Sequence, residues 1–177
     1  FMLTTDRLQL EPIGPEHLDN TRRWANDPDL NAAILRSLPV TRHAQEQWYA
    51  RLVQSSDRLV WAVKTIAPDE HIGNTGLYHL DFLHRWGECW VLIGEKSHYG
   101  HGDGSEIVSC ILQFGFLVLN LNRIYLNVGM ENRRAIALYE KHGFLREGIL
   151  REHYYIRGSY MDIMTMGILR SDYDKSK

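Results

Sequence analysis

Cysteine is scarce in this chain. Cys89 and Cys110 are the only two in 177 residues. Small secreted folds that cannot build a core lean on several disulfides, and two cysteines cannot supply such a framework. Both fall in apolar stretches, which points to buried free thiols and a cytoplasmic setting. Charge of one sign is lacking too. The formal net charge is −2, so there is no basic footprint for nucleic acid. No apolar run approaches the roughly 20 residues of a membrane span, and no signal peptide is visible. Neither a nucleic-acid partner nor a membrane is expected. Repeats, linkers and low-complexity segments are missing as well. What is present is a chain with 44% hydrophobic residues. That suits one ordered domain with a sizeable core, expected over residues 2–170, with 171–177 as a polar, frayed tail.

The most informative stretch is ECWVLIGEKSHYGHGDGSEIVSCILQFGFLVL, beginning at Glu88. Trp90, Val91 and Ile93 suit a buried strand. Gly100, Gly102 and Gly104 follow at alternate positions. Ile107, Ile111, Phe114, Val118 and Leu121 then recur at helical spacing, for about four turns. A glycine loop that opens a helix leaves N–H groups unpaired, and the helix dipole adds positive charge there. Such a place suits phosphate. The plainer alternative is a flexible connection. The glycine spacing is not that of the dinucleotide fingerprint, and no Gly-Lys-Ser/Thr closes a P-loop.

Around this stretch the chain reads in order. Residues 7–12 form a first strand, and residues 15–26 a helix opened by Pro15 and ended by Asp27-Pro28. Residues 29–40 are a loop or short helix. Thr41 caps a helix to about Gln54. Residues 58–65, 71–80 and 86–93 are strands of one antiparallel group, and Gly73 and Gly76 suggest a bulge or close approach. Residues 123–128 are a strand, and residues 132–142 a helix stopped by Gly143. Residues 145–156 and 160–169 pair as a hairpin around Arg157-Gly158-Ser159. The expected class is α+β, a mixed sheet with helices on both faces.

IGEKSHYGHGDGSE resembles the acetyl-CoA signature of the GCN5-related N-acetyltransferases, Gln/Arg-x-x-Gly-x-Gly/Ala. Gly102 and Gly104 occupy its small-residue positions, while Tyr99 stands where Gln or Arg is usual. LNLNRIYLNVGMENRRAIALYEKHGF is similar to the family's following strand and helix, and the details look most like the RimJ/RimL and spermidine acetyltransferase branch. The resemblance implies the GNAT fold, with a sheet splayed between its fourth and fifth strands, here residues 86–93 and 123–128. It implies acetyl-CoA as cosubstrate, with the pantetheine arm along Val91 and Ile93. Tyr99, Gly100, His101, Gly102, Asp103, Gly104 and Ser105 would surround the phosphates. Asn132, Ala135 and Tyr139 would complete the cofactor site. No metal is implied, and homodimers are common in the branch. With Tyr99 uncharged, the phosphates would lean on backbone N–H groups, and Asp103 would have to turn away.

Acetyl transfer to an amine needs a base for the ammonium proton, a stabilised oxyanion and an acid for the departing thiolate. By the resemblance Tyr139 is that acid; the alternative is a core aromatic. Glu88 is the candidate base, directly or through water; the alternative is a strand-edge charge. His79, His84, His98 and His153 are rival bases. Asn132 could be a simple N-cap as well as a cofactor contact. His98, His101 and Asp103 form only a weak metal pattern. The implied activity is N-acetylation of a primary amine on a peptide or small molecule. Spermidine or another polyamine is the alternative acceptor, and a non-catalytic acyl-CoA-binding domain the alternative class. Residues 29–40 and 151–160 would build the acceptor pocket. The first holds one acid and one base among apolar residues, which suits a polycation poorly.

Overall fold

Residues 2–31, 33–35 and 38–175 are described by the structure, a computed structural model. Ala32, Arg36 and Ser37 of the expected acceptor segment lie outside the described residues, as do Ser176 and Lys177 of the tail.

Period-two alternation builds the sheet. In strand β3 (Leu59–Thr65), Val60 and Ala62 face one side while Trp61 and Val63 face the other. Both sides are buried, so both sides carry helices. The eight strands also include β1 (Leu3–Thr4), β2 (Leu8–Pro12), β4 (Glu70–Asp81), β5 (Trp86–Ile93), β6 (Arg123–Gly129), β7 (Leu145–Ile156) and β8 (Ser159–Leu169). Their order is β1-β2-β3-β4-β5-β6-β8-β7. Every pairing is antiparallel except β5 with β6.

That parallel pairing is short. It joins Trp86 to Arg123, Gly87 to Ile124 and Glu88 to Tyr125, and then stops. Beyond it β5 stays with β4 as far as Ile93, and β6 stays with β8 as far as Gly129. The two halves of the sheet therefore diverge, as expected for residues 86–93 and 123–128.

Helices α1 (Leu18–Ala25), α2 (Pro28–Asn31) and α3 (Arg42–Gln54) come before β3. Thr41 caps α3 by accepting from the Ala44 amide at 3.1 Å. Trp48, Tyr49 and Leu52 of α3 pack on the Val60 face. Helices α4 (Asp103–Gln113) and α5 (Arg133–Lys141) border the main core on the other face. Helix α5 ends as read, with Gly143 at φ 88°. The hairpin turn has Arg157 and Gly158 both left-handed, and Ile156 pairs with Ser159.

Three expectations need correction. The long fourth helix is not regular throughout. After Gln113 it opens into a π turn over Phe114–Val118. A Cβ on Gly115 would come within 2.5 Å of Ile124, so the glycine permits this close approach to β6. Strand β1 was not anticipated, because two residues carry no alternation. The tail is not frayed through Lys175. Residues Arg170–Lys175 form α6, anchored by buried Tyr173, whose ring lies 5.0 Å from that of Phe116. One apolar side chain in a polar hexapeptide gives no periodic signal.

Candidate active site

A cavity of about 610 Å³ opens where β5 and β6 part. Cys89, Val91 and Ile93 line it from β5, and Asn132, Ala135 and Tyr139 from α5 and its cap. Tyr99, Gly100, Gly102, Asp103, Gly104 and Ser105 line its other end. These expected site residues are thus brought together. His101 and Glu88 are not among the lining residues.

The start of α4 can hold an anion. Gly102 caps the helix at φ 89°. The first bonds run from the Ser105 and Glu106 amides to the Gly102 carbonyl. The amides of Asp103 and Gly104 are left without a helical acceptor, which is the usual condition of a helix N-terminus. The Asp103 carboxylate does turn away. It is 3% exposed and pairs with Arg7 at 3.0 Å and with His98 at 3.0 Å. Arg7 also reaches Glu106 at 2.6 Å, and Thr5 donates to the same carboxylate at 2.6 Å. Burial works against the charge on Glu106, but the Thr5 and Arg7 hydrogen bonds outweigh it and hold the carboxyl below its ordinary value.

Tyr99 brings no charge, but it carries one. Its hydroxyl donates to the Ile93 carbonyl at 3.1 Å, which fixes the ring. The Arg134 guanidinium lies 4.9 Å from the ring centre and also lines the cavity. Lys141 lines it as well. Sequence reasoning passed over both cations, although the signal was there. Arg134 follows Asn132 by two residues, in the first turn of the helix that Asn132 caps. Asn132 does cap α5, accepting from the Ala135 amide at 3.1 Å. Ser105 bonds His142 at 2.8 Å and so ties the start of α4 to the end of α5.

Tyr139 is buried at 7% exposure, beside Phe144 and close to Cys89. Burial, reinforced by Cys89, pushes its phenol pKa well up, so the hydroxyl keeps its proton at neutral pH. Glu88 is the last β5 residue paired with β6. Successive side chains on a strand alternate, so Glu88 faces away from the side on which Cys89 meets Tyr139. Its Oε1 accepts from Asn127 Nδ2 at 3.0 Å, and its Oε2 lies 2.9 Å from His79 Nδ1. Thr165 donates to Asn127 Oδ1 at 2.8 Å, which sets the amide the right way round. A proton donor and a carboxylate thus stand on opposite faces of the strand edge where the sheet opens.

The split sheet, the glycine-capped helix and the tyrosine behind it coincide with a known family. A family model described as an acetyltransferase (GNAT) domain matches residues 7–145. The chain belongs to the GNAT acetyltransferases. Among curated relatives, a spermidine N(1)-acetyltransferase from Vibrio cholerae is 39% identical over 102 residues, 58% of each chain. A solved spermidine N-acetyltransferase from Vibrio cholerae, in complex with CoA and spermine, superposes with a TM-score of 0.90 at 28% identity. The match covers 96% of this chain and 99% of that one. A dodecameric structure of the Vibrio cholerae enzyme fits with a TM-score of 0.84 at 28% identity, covering 98% and 100%. This GNAT protein is accordingly an N-acetyltransferase that draws on acetyl-CoA. The cavity suits that cosubstrate in form. An open strand edge can pair with amides of a pantetheine arm, and unpaired helix amides with Arg134 can meet phosphate.

Proposed function

We propose that this enzyme acetylates a primary amine by direct attack on the thioester, with Glu88 as base and Tyr139 as acid. The observation that carries this reading is the placement of the two groups on opposite faces of β5 at the mouth of the split. Glu88 takes the ammonium proton on the acceptor side, and the neutral amine attacks the thioester carbon. As the C–S bond breaks, Tyr139 gives its proton to the leaving sulfur, and the second proton shed by the new amide nitrogen passes through solvent and restores the phenol. Val91, Ile93, the loop from Tyr99 to Ser105, and Asn132, Ala135 and Arg134 hold the cosubstrate in register. His101 belongs to this loop but would act only through its backbone.

The acceptor is an amine with an apolar flank, on a peptide or a small molecule. Among described residues the acids nearest the acceptor segment are already paired. Lys96 sits 2.5 Å from Asp29 and 3.6 Å from Asp27. A second reading has specific support: the relatives named above act on spermidine or were solved with spermine. A panel of amines with acetyl-CoA, followed by free thiol release, separates the two. The first reading expects a peptide amine or apolar-flanked amine to have the highest kcat/KM; spermidine in first place overturns it. No release with any amine would favour a non-catalytic acyl-CoA-binding role. The working unit runs past the expected 2–170 to include α6, since Tyr173 packs into the core, and it acts in the cytoplasm, as buried Cys89 and Cys110 suggest. Self-association as a homodimer fits the apolar side chains that edge strand β7 leaves exposed, Leu145, Ile149 and Leu150 among them.

A further inference from the structure

Strand β4 breaks its register between Tyr78 and Asp81. At the break His79 takes a left-handed backbone, φ 51°. A non-glycine residue in that region is uncommon and costs conformational energy. The break has a geometric consequence. Tyr78 is directly opposite Glu88, so their side chains share a face. In a regular strand the next residue would point to the other face. The break instead brings the His79 ring round to the Glu88 side, with its centroid 6.3 Å from that of Tyr78 and its Nδ1 2.9 Å from Glu88 Oε2. Bulges commonly re-aim a side chain beside a site.

We propose that His79 is a positioning residue for Glu88. This rests on the reading of Glu88 as the base. The carboxylate is clamped at both oxygens, by Asn127 from β6 and by His79 from the break in β4. Each oxygen keeps a lone pair for the incoming amine, and the clamp fixes where those lone pairs point. With its Nδ1–H aimed at Glu88 Oε2, the imidazole donates the second hydrogen bond of the clamp. Asp57 lies beside His79, Arg58 over the Tyr78 ring and Tyr125 beside Glu88, while Cys89 adjoins Glu88 along the chain but faces the opposite side.

The substitutions His79→Ala and His79→Asn test this. Asparagine tolerates the left-handed backbone and offers an amide donor near the Nδ1 position, but does not titrate. His79→Ala should lower kcat about tenfold with the KM for acetyl-CoA unchanged, and His79→Asn should recover most of that loss. In a Glu88→Gln background, His79→Ala should cost nothing further, because the clamped base is already gone. A loss of the same size in both backgrounds overturns the inference, as does wild-type kcat in folded His79→Ala. If Glu88→Gln alone keeps wild-type kcat, it is the reading of Glu88 as base that has failed.

Discussion

At the scale of single residues, the site depends on side chains whose neighbours decide their protonation. Tyr139 is the clearest case. Burial beside Cys89 keeps its hydroxyl protonated far above neutral pH. That leaves a proton on the oxygen for a departing thiolate and means that the resting site holds no tyrosinate. Tyr139→Phe keeps the ring against Phe144 and removes only the oxygen. kcat should fall by about 10²-fold, within the range for general acids. Acetyl-CoA affinity should hardly move, because the proton is needed only in the transition state. A near wild-type kcat with the true acceptor would make Tyr139 a packing residue. Arg134 makes the complementary case. Its guanidinium rests on Tyr99, where the family's usual residue is Gln or Arg. Arg134→Ala should weaken acetyl-CoA about tenfold, or about 1.4 kcal/mol, and leave kcat at saturation nearly intact. Equal affinity in both proteins would mean that backbone amides alone carry the phosphates.

At the scale of elements, the start of α4 is held from behind by Arg7, which bridges Asp103 and Glu106. The sign of its pH effect follows from Glu106. The native pKa of this carboxyl is lowered, so the unfolded state binds its proton first as pH falls. The stabilisation is whole above the unfolded value, near 4.3, and is lost below it. Arg7→Ala should therefore lower the Tm most above about pH 5, and the gap should close towards pH 3. A gap independent of pH would show that Arg7 acts through packing of its stem. These elements were largely legible in the sequence. The strand at 86–93 and the caps at Thr41 and Asn132 rest on local chemistry, and each formed as read, while the turn read over 157–159 is one residue shorter because Ser159 already pairs with Ile156. The clamp on Glu88 was not legible. His79, Asn127 and Thr165 come from three strands, and only pairing across the sheet, with a break in register, makes them neighbours. The Arg7 bridge was hidden for the same reason, since 96 residues of chain separate it from Asp103. Even so, the requirement that Asp103 turn away was readable from charge alone.

At the scale of the whole molecule, the sheet is two sheets held together by three residue pairs. From Cys89 to Ile93 one edge of β5 has no strand beside it, and a cosubstrate with amides in its arm can act as the missing partner. Binding should then stabilise the fold as a whole and the gap most of all. Acetyl-CoA at 100 times its Kd should add about 2.7 kcal/mol by mass action. For a domain of this size, with about 2–4 °C per kcal/mol, the Tm should rise by roughly 5–11 °C. Amide exchange locates the effect. New protection should appear along β5 beyond Glu88 and at Asp103 and Gly104, while the β2–β3 pairing far from the split changes little beyond the global gain. CoA without the acetyl group should give the same pattern, since the arm and phosphates are retained. If protection grows at the start of α4 but not along β5, the phosphates are held there while the arm takes another route, and the open strand edge is not its partner.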